Sequence, residues 1–233
     1  MYTKQAFLRS LTAVFLVIFA SWGVDAGGQS EAVPDSAGES SVTETVTPRI
    51  EYLEGEVSVD GVPAEIGASI PAGARISTGA DGMVDIVFGS GNALRIEEDT
   101  LLTLDLQDPA EGIDISRGTI AAVFEGLQSL GTGPDDTFRV RAPTTVAGVR
   151  GTVFFVKIEN PQSTYVCTCH GELEFVDDNL VVRAARHDAT RFIADNGEVR
   201  VEDALDLYHD SQSLNAVADI VGVTIAWGEE PHD

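Results

Sequence analysis

Lysine is nearly absent from this chain of 233 residues, in which Lys4 and Lys157 are the only two. With them, 14 basic residues stand against 38 acidic ones, and the formal net charge is −24. A nucleic-acid-binding surface needs clustered basic side chains that release counterions from phosphate, and anionic membrane surfaces attract the same side chains. The composition therefore argues against nucleic acid and acidic membranes as partners.

Short catalytic motifs are also missing. The sequence contains no Gly-x-Ser-x-Gly, no His-Glu-x-x-His, no P-loop and no dinucleotide fingerprint. Paired acids such as Glu97 and Glu98 are frequent, but adjacent acids in turns are ordinarily solvated, and their spacing does not identify a catalytic pair. We therefore predict a protein without enzymatic activity.

The first 26 residues have the pattern of a secretory signal peptide. A basic start precedes the apolar run from Leu11 to Trp22, and Val24 and Ala26 occupy the −3 and −1 positions of a signal-peptidase site. We predict cleavage after Ala26, a periplasmic or otherwise exported protein, and no membrane span after cleavage. An uncleaved anchor is the alternative, although the run is shorter than the roughly 18 to 20 residues that span a bilayer.

Composition divides the rest of the chain into three parts. Residues 27–48 are rich in Ser, Gly, Glu and Thr and contain no aromatic residue, so they are predicted to form a disordered linker. Residues 49–176 are predicted to form a β domain. Residues 177–233 are predicted to add a C-terminal β extension that ends in a helix.

Short stretches of alternating apolar residues begin at Ile50. The clearest are Val57/Val59, Val84/Ile86/Phe88, Leu102/Leu104/Leu106, Phe138/Val140 and Phe175 with the Leu180–Val182 run. Turn sequences such as Asp60-Gly61 separate them, which predicts an all-β body in the form of a sandwich or a solenoid. Five glycines from Gly55 to Gly79 stand six apart, but the residues before them do not fit a hexapeptide β-helix, so we favour short strands joined by glycine turns.

One amphipathic helix is predicted near the C-terminus. Its apolar positions follow the i, i+3, i+4, i+7 spacing of a single helix face and are Leu214, Val217, Ala218 and Val221. Asp210 or Ser211 can cap its first turn, and Gly222 suits the position after its end. We expect this helix to pack on the β body, and docking on a partner is the alternative.

A block after the middle of the chain resembles the FecR domain family. It runs from Ala142 to Phe154 (APTTVAGVRGTVF), and LEGEV at residues 53–57 and ISTG at residues 76–79 add to the resemblance, which covers Ile50 to Val176. The family motif residues are Pro143, Gly148, Val149, Arg150, Gly151 and Thr152, for which we predict structural roles. Pro143 and Gly148 are expected to end one strand, Gly151 to allow a close turn, and Arg150 to pair with a carboxylate or with backbone carbonyls.

The resemblance implies a regulatory role in the bacterial cell envelope. FecR proteins relay the state of an outer-membrane receptor to a cytoplasmic sigma factor, a role that needs a cytoplasmic segment ahead of a membrane span. Only about ten residues precede the apolar run here. We therefore expect an exported module that binds a partner protein or an envelope ligand in a regulatory or signalling role.

The two cysteines leave three interpretations open. Cys167 and Cys169 stand two apart on a predicted strand, so their thiols share one face and could form a disulfide in an oxidising compartment. They could instead bind zinc together with His187 and His209, with His170 in reserve, because two thiolates and two imidazoles suit a tetrahedral site. Two buried thiols with surface histidines are the third possibility. Covalent haem is excluded, since Cys-Thr-Cys-His is one residue short of its attachment motif.

Overall fold

A computed structural model describes residues 47–108, 110–127, 137–177, 180–185, 188–205 and 208–227. The predicted signal peptide and nearly all of the predicted linker lie outside these residues. Within them the chain forms 16 strands and one α-helix, so the predicted all-β class with a single C-terminal helix is confirmed. None of the helical structure in these ranges is long and apolar enough to cross a membrane.

The strands follow one another with short connections. In chain order they are β1 (Arg49–Glu54), β2 (Val57–Val59), β3 (Val62–Pro63), β4 (Ala74–Thr78), β5 (Met83–Phe88), β6 (Asn92–Ile96), β7 (Leu101–Asp105), β8 (Gly112–Phe124), β9 (Phe138–Ala142), β10 (Thr145–Val149), β11 (Thr152–Asn160), β12 (Ser163–His170), β13 (Glu172–Asp177), β14 (Leu180–Ala185), β15 (Asp188–Asp195) and β16 (Glu198–Asp203). The helix α1 spans Ser211–Ile220.

The long strand β8 belongs to two sheets. Its second half pairs with β6 and β11 in a first sheet of order β1-β5-β6-β8-β11-β12-β15-β16. Its first half pairs with β7 and β9 in a second sheet of order β3-β2-β4-β7-β8-β9-β10-β13-β14. Neighbouring described strands are antiparallel except β8 and β9, which are parallel. Gly118 marks the change of sheet at φ +93°, where a Cβ atom would lie 2.2 Å from Thr100 Oγ1.

One apolar core fills the space between the two sheets. Phe124 of β8 lies at its centre and makes edge-to-face contacts with Phe88, Phe138 and Phe154, with ring centroids 5.2 to 5.4 Å apart. Such pairs contribute about 0.5 to 1.5 kcal/mol beyond burial alone. Two sheets facing each other across one core are the sandwich form of the predicted architecture. The antiparallel pairing of β2 with β3 and β4 agrees with short strands rather than β-helix coils.

A second apolar cluster lies on the outer face of the first sheet, beneath α1. The helix contributes Leu214, Val217 and Ala218, all fully buried, as the predicted apolar face requires. Asp210 is the N-cap, and its carboxylate accepts a 2.7 Å hydrogen bond from the backbone N–H of Ser213. The central strands of this sheet are therefore covered on both faces, one by the main core and one by the helix.

The structure changes part of the predicted role of the family motif. Strand β9 ends at Ala142, directly before Pro143, as predicted. Gly148 does not end a strand, because it lies within β10 and pairs with residues on both β9 and β13. Gly151 has φ +94° in the turn before β11, which agrees with the predicted close turn. The strands of the predicted C-terminal extension continue the two sheets, with β14 paired to β13 and β15 to β12.

Candidate metal site

The two cysteine side chains meet on one face of β12. Alternation along a strand predicts this, because residues i and i+2 point to the same side. Cys167 and Cys169 are both fully buried in the second apolar cluster under α1. Their sulfur atoms lie 3.4 Å apart, a separation well beyond the roughly 2.05 Å of a disulfide bond.

His209 brings a third donor to the same place. It lies in the segment between β16 and α1, and its Nε2 is 3.5 Å from the sulfur of Cys169. Its ring packs edge-on against Phe155 of β11, with centroids 4.6 Å apart. The two sulfurs and one nitrogen of the imidazole all lie within 4.8 Å of one another. A segment 40 residues away in sequence thus completes a three-donor cluster with the two thiols.

The spacing of the donors suits a tetrahedral cation. Zinc bonds of about 2.3 Å to sulfur and 2.0 to 2.1 Å to nitrogen place neighbouring ligand atoms about 3.5 to 3.8 Å apart. The distances of 3.4 Å between the sulfurs of Cys167 and Cys169 and 3.5 Å from Cys169 to His209 are close to that range. Thiolate and imidazole together favour zinc over hard cations such as Mg²⁺. These residues therefore fit a zinc ion without a large rearrangement.

Two further histidines, His187 and the reserve His170, are predicted as metal ligands. His187 lies outside the residues that the structure describes, so its part in the site stays a prediction. His170, the predicted reserve ligand, does not join the cluster of described donors. It ends β12 three residues after Cys167, and strand alternation directs it away from the face that carries the thiols. Its Nδ1 is buried and accepts or donates no hydrogen bond within the described part of the chain.

A carboxylate holds the segment that carries His209. Glu159, near the end of β11, accepts two hydrogen bonds from the guanidinium of Arg191, at 2.8 and 2.7 Å, and one from Ser163 at 2.6 Å. The phenol of Tyr208 donates a further 2.7 Å bond to the same carboxylate. These donors, Arg191 first, lower the pKa of Glu159 from 4.5 to about 2. The ammonium of Lys157 lies 5.2 Å from the Tyr208 ring centroid, which adds a cation–π contact.

Sequence reasoning did not find this carboxylate. Glu159 and Tyr208 are 49 residues apart, and no local pattern marks a hydrogen bond over that separation. The position of Tyr208 directly before His209 was the only available signal. Arg191 comes beside Glu159 only because β12 pairs with both β11 and β15.

Arg150 of the family motif is exposed beyond the end of β10. Among the residues described, it forms neither the predicted ion pair nor a hydrogen bond to a carbonyl. Its neighbour Thr152 has a clear structural role, because its hydroxyl donates a 3.0 Å hydrogen bond to the backbone carbonyl of Glu172. That bond ties the start of β11 to the start of β13. Within this motif, the Thr152 hydroxyl therefore holds two strands together, whereas the Arg150 side chain faces solvent.

Fold and cluster together define a class of protein: a β-sandwich with one covering helix and a buried Cys/His cluster beneath it. Residues 74–174 match the family model described as FecR protein. This match agrees with the resemblance that the motif predicts, over residues 74–174 of the chain. No curated protein matches the chain.

Two crystal structures, at 1.65 and 2.50 Å resolution, of a candidate anti-sigma factor from Parabacteroides distasonis ATCC 8503 are similar to this chain. Each is 17% identical over 56% of this chain and 60% of the other, with a TM-score of 0.43. This chain thus spans less than two thirds of the neighbour's length.

Proposed function

We propose that this chain is an exported, non-enzymatic regulatory protein of the cell envelope, and that its FecR domain binds a protein partner. The match of residues 74–174 to the FecR family carries the proposal. The signal-peptide pattern that ends at Ala26 supports a periplasmic location. The strongly acidic composition, with 38 acids against 14 basic residues, favours a soluble protein surface and a protein partner over nucleic acid.

Export can be tested with the full-length chain in a Gram-negative host. We expect a periplasmic protein whose mass corresponds to a chain that starts at Gly27. Leu16→Arg, which breaks the apolar run, should leave the uncleaved chain inside the cell. A full-length native chain in the cytoplasmic fraction would contradict the location.

The regulatory role has a separate test in the source bacterium. Deleting the gene should change transcription of a defined set of genes, and the native chain should restore it. The Leu16→Arg chain should fail to restore it if the protein acts in the envelope. Unchanged transcription after deletion would rule out signalling.

Metal binding is a second proposed function, favoured by the convergence of Cys167, Cys169 and His209 within 4.8 Å. The proposed ion is zinc, held by the two thiolates and the imidazole, with His187 as the predicted fourth ligand. When bound, zinc would link β12 to the segment that leads into α1. Because that segment covers the second apolar cluster, the ion would stabilise the position of the helix.

Elemental analysis of the purified protein, combined with titration of its thiols, tests this function. We expect one zinc per chain, and cobalt substitution should give the strong thiolate-to-metal absorption of a Cys-ligated site. Cys169→Ser and His209→Ala should each lower the metal content, whereas His170→Ala is the matched control and should retain it. A metal-free protein without titratable thiols would establish the disulfide instead.

A further inference from the structure

A cleft lined by arginines lies on the outer face of the second sheet, where β9, β10 and β13 run side by side. Its volume is about 340 Å³, and its wall includes Thr137, Arg139, Arg141, Gly148, Arg150 and Glu174. The register places Gly148 between Arg139 on β9 and Glu174 on β13. The predicted family motif therefore contributes both the centre of this cleft and one of its charged side chains.

Gly148 is the floor of the cleft. A Cβ atom at this position would lie 2.5 Å from the methyl group of Thr137. Because Gly148 lies within a regular strand, glycine is required here by the lack of space for a Cβ atom and not by an unusual backbone conformation. Any side chain would fill the hollow between Arg139 and Glu174.

The positive charge of the cleft is only partly compensated. Arg141 is fixed by the backbone carbonyls of Ala110 at 2.6 Å and Glu111 at 2.9 Å, and its guanidinium forms an ion pair with the Glu111 carboxylate at 3.4 Å. Arg139 and Arg150 form no hydrogen bond or ion pair to any residue in the described ranges. Three guanidinium groups thus share the cleft with the carboxylate of Glu174, in a chain whose acids outnumber its basic residues 38 to 14.

Guanidinium groups recognise planar oxyanions, since their fork of N–H donors matches carboxylate and phosphate geometry. The cleft volume is near the lower end of the roughly 300 to 1,000 Å³ typical of small-molecule sites. Because charges more than about 8 Å apart are screened, a small anion in the cleft meets mainly the arginines, whereas a large acidic partner would also approach many of the surrounding acids of a chain with net charge −24. These facts favour a small ligand over an acidic protein.

We propose that the cleft binds a small multivalent oxyanion, either a polycarboxylate or a phosphate compound. Arg139 and Arg150 supply donors that no group among the described residues occupies, and Arg141, paired with Glu111, supplies a fixed guanidinium at the edge of the site. Glu174 restricts the site by repelling anions that approach from the β13 side. The site is separate from the Cys/His cluster, which lies on the outer face of the other sheet.

Calorimetric titration of the mature chain at constant ionic strength tests the proposal. The probes are propane-1,2,3-tricarboxylate and inorganic pyrophosphate, with chloride as the reference salt. We expect at least one probe to bind with a stoichiometry of one, and the tighter probe identifies the carboxylate or the phosphate class. The double variant Arg139→Gln/Arg150→Gln should weaken binding at least tenfold. Arg75→Gln, which removes an exposed arginine from β4, is the matched control and should bind like the native chain.

A second variant tests the floor of the cleft. Gly148→Ala should also weaken binding at least tenfold, and circular dichroism must show that this variant still folds. The arginine double variant leaves Gly148 and the strand pairing intact, so it remains informative if Gly148→Ala unfolds. Binding of neither probe, equal binding by the double variant, or binding of an acidic peptide alone would each overturn the proposal.

Discussion

The phenol of Tyr208 donates a 2.7 Å hydrogen bond to Oε1 of Glu159, which joins the segment before α1 to the first sheet. His209 is the next residue, so this bond also restricts where its imidazole lies relative to Cys169. The Tyr208 ring packs edge-on against Tyr165 of β12, with centroids 4.9 Å apart. The proposed metal site therefore depends on a carboxylate that is not one of its ligands.

We predict that Glu159 contributes to a loss of stability in acid. Its pKa is about 2 in the folded protein against an ordinary 4.5. A lowered folded pKa means that the contribution is present above pH 4.5 and is lost as the pH falls toward 2. Urea unfolding at several pH values should show a steeper loss for the native chain than for Glu159→Gln over this window. Glu202→Gln, at an exposed ion pair with Arg200, should keep the native slope, and identical slopes for all three chains would contradict the prediction.

The cap of α1 should control access to the thiols. Cys167 and Cys169 are fully buried, so a thiol reagent reaches them only when the helix moves away. Asp210→Ala removes the N-cap and should cost about 1 kcal/mol, which corresponds to roughly fivefold faster labelling in metal-free protein. Asp219→Ala, on the exposed side of the same helix, should not accelerate labelling. Equal labelling rates for Asp210→Ala and the native chain would show that the thiols are exposed by another motion.

A buried ion pair in the first sheet should be sensitive to loss of one partner. Arg95 on β6 donates hydrogen bonds of 2.7 and 2.8 Å to the carboxylate of Asp85 on β5, whose side chain is 3% exposed. Arg95→Met should lower the free energy of unfolding by about 3 to 5 kcal/mol, because it leaves a buried carboxylate unpaired. The double variant Asp85→Leu/Arg95→Met should recover much of this loss. Urea unfolding of the native chain, Arg95→Met, Asp85→Leu and the double variant measures the coupling, and additive effects would contradict it.

The glycine at the change of sheet should not tolerate a side chain. Gly118→Ala would need a φ of +93° and would place its Cβ 2.4 Å from Thr100 Cα, so we expect a loss of about 2 to 4 kcal/mol. Gly61→Ala, at φ +78° with no atom within 4 Å of its Cβ, separates the two causes. Gly61→Ala should lower the free energy of unfolding by only about 1 to 2 kcal/mol, which is the cost of placing alanine in the left-handed conformation. Similar losses in both variants would mean that space at Thr100 is unimportant.

Sequence patterns predicted the parts of the molecule that depend on local period. Strands such as β5 and β7 follow from alternation, α1 and its N-cap follow from helical spacing, and the meeting of the two thiols follows from their separation by two residues. The same alternation already separates His170 from the thiols. These features need only the geometry of one element.

Features that depend on which strands become neighbours could not be predicted. The second half of β8, from Ile120 to Phe124, is apolar on both faces because the core lies on one side and α1 on the other. The sequence of this strand alone does not show that a helix covers its second face. Likewise, Arg139 and Glu174 flank Gly148 only because β10 pairs with both β9 and β13.

The shared strand β8 has a consequence for folding. It stands near the middle of the chain, yet it pairs with β6 and β7 before it and with β9 and β11 after it. Neither half of the chain can complete a sheet by itself, so both sheets should unfold as one cooperative unit. Pairing over such sequence distances also makes folding slow compared with helical proteins. A fragment that stops before β11 should therefore remain unfolded rather than form half of the sandwich.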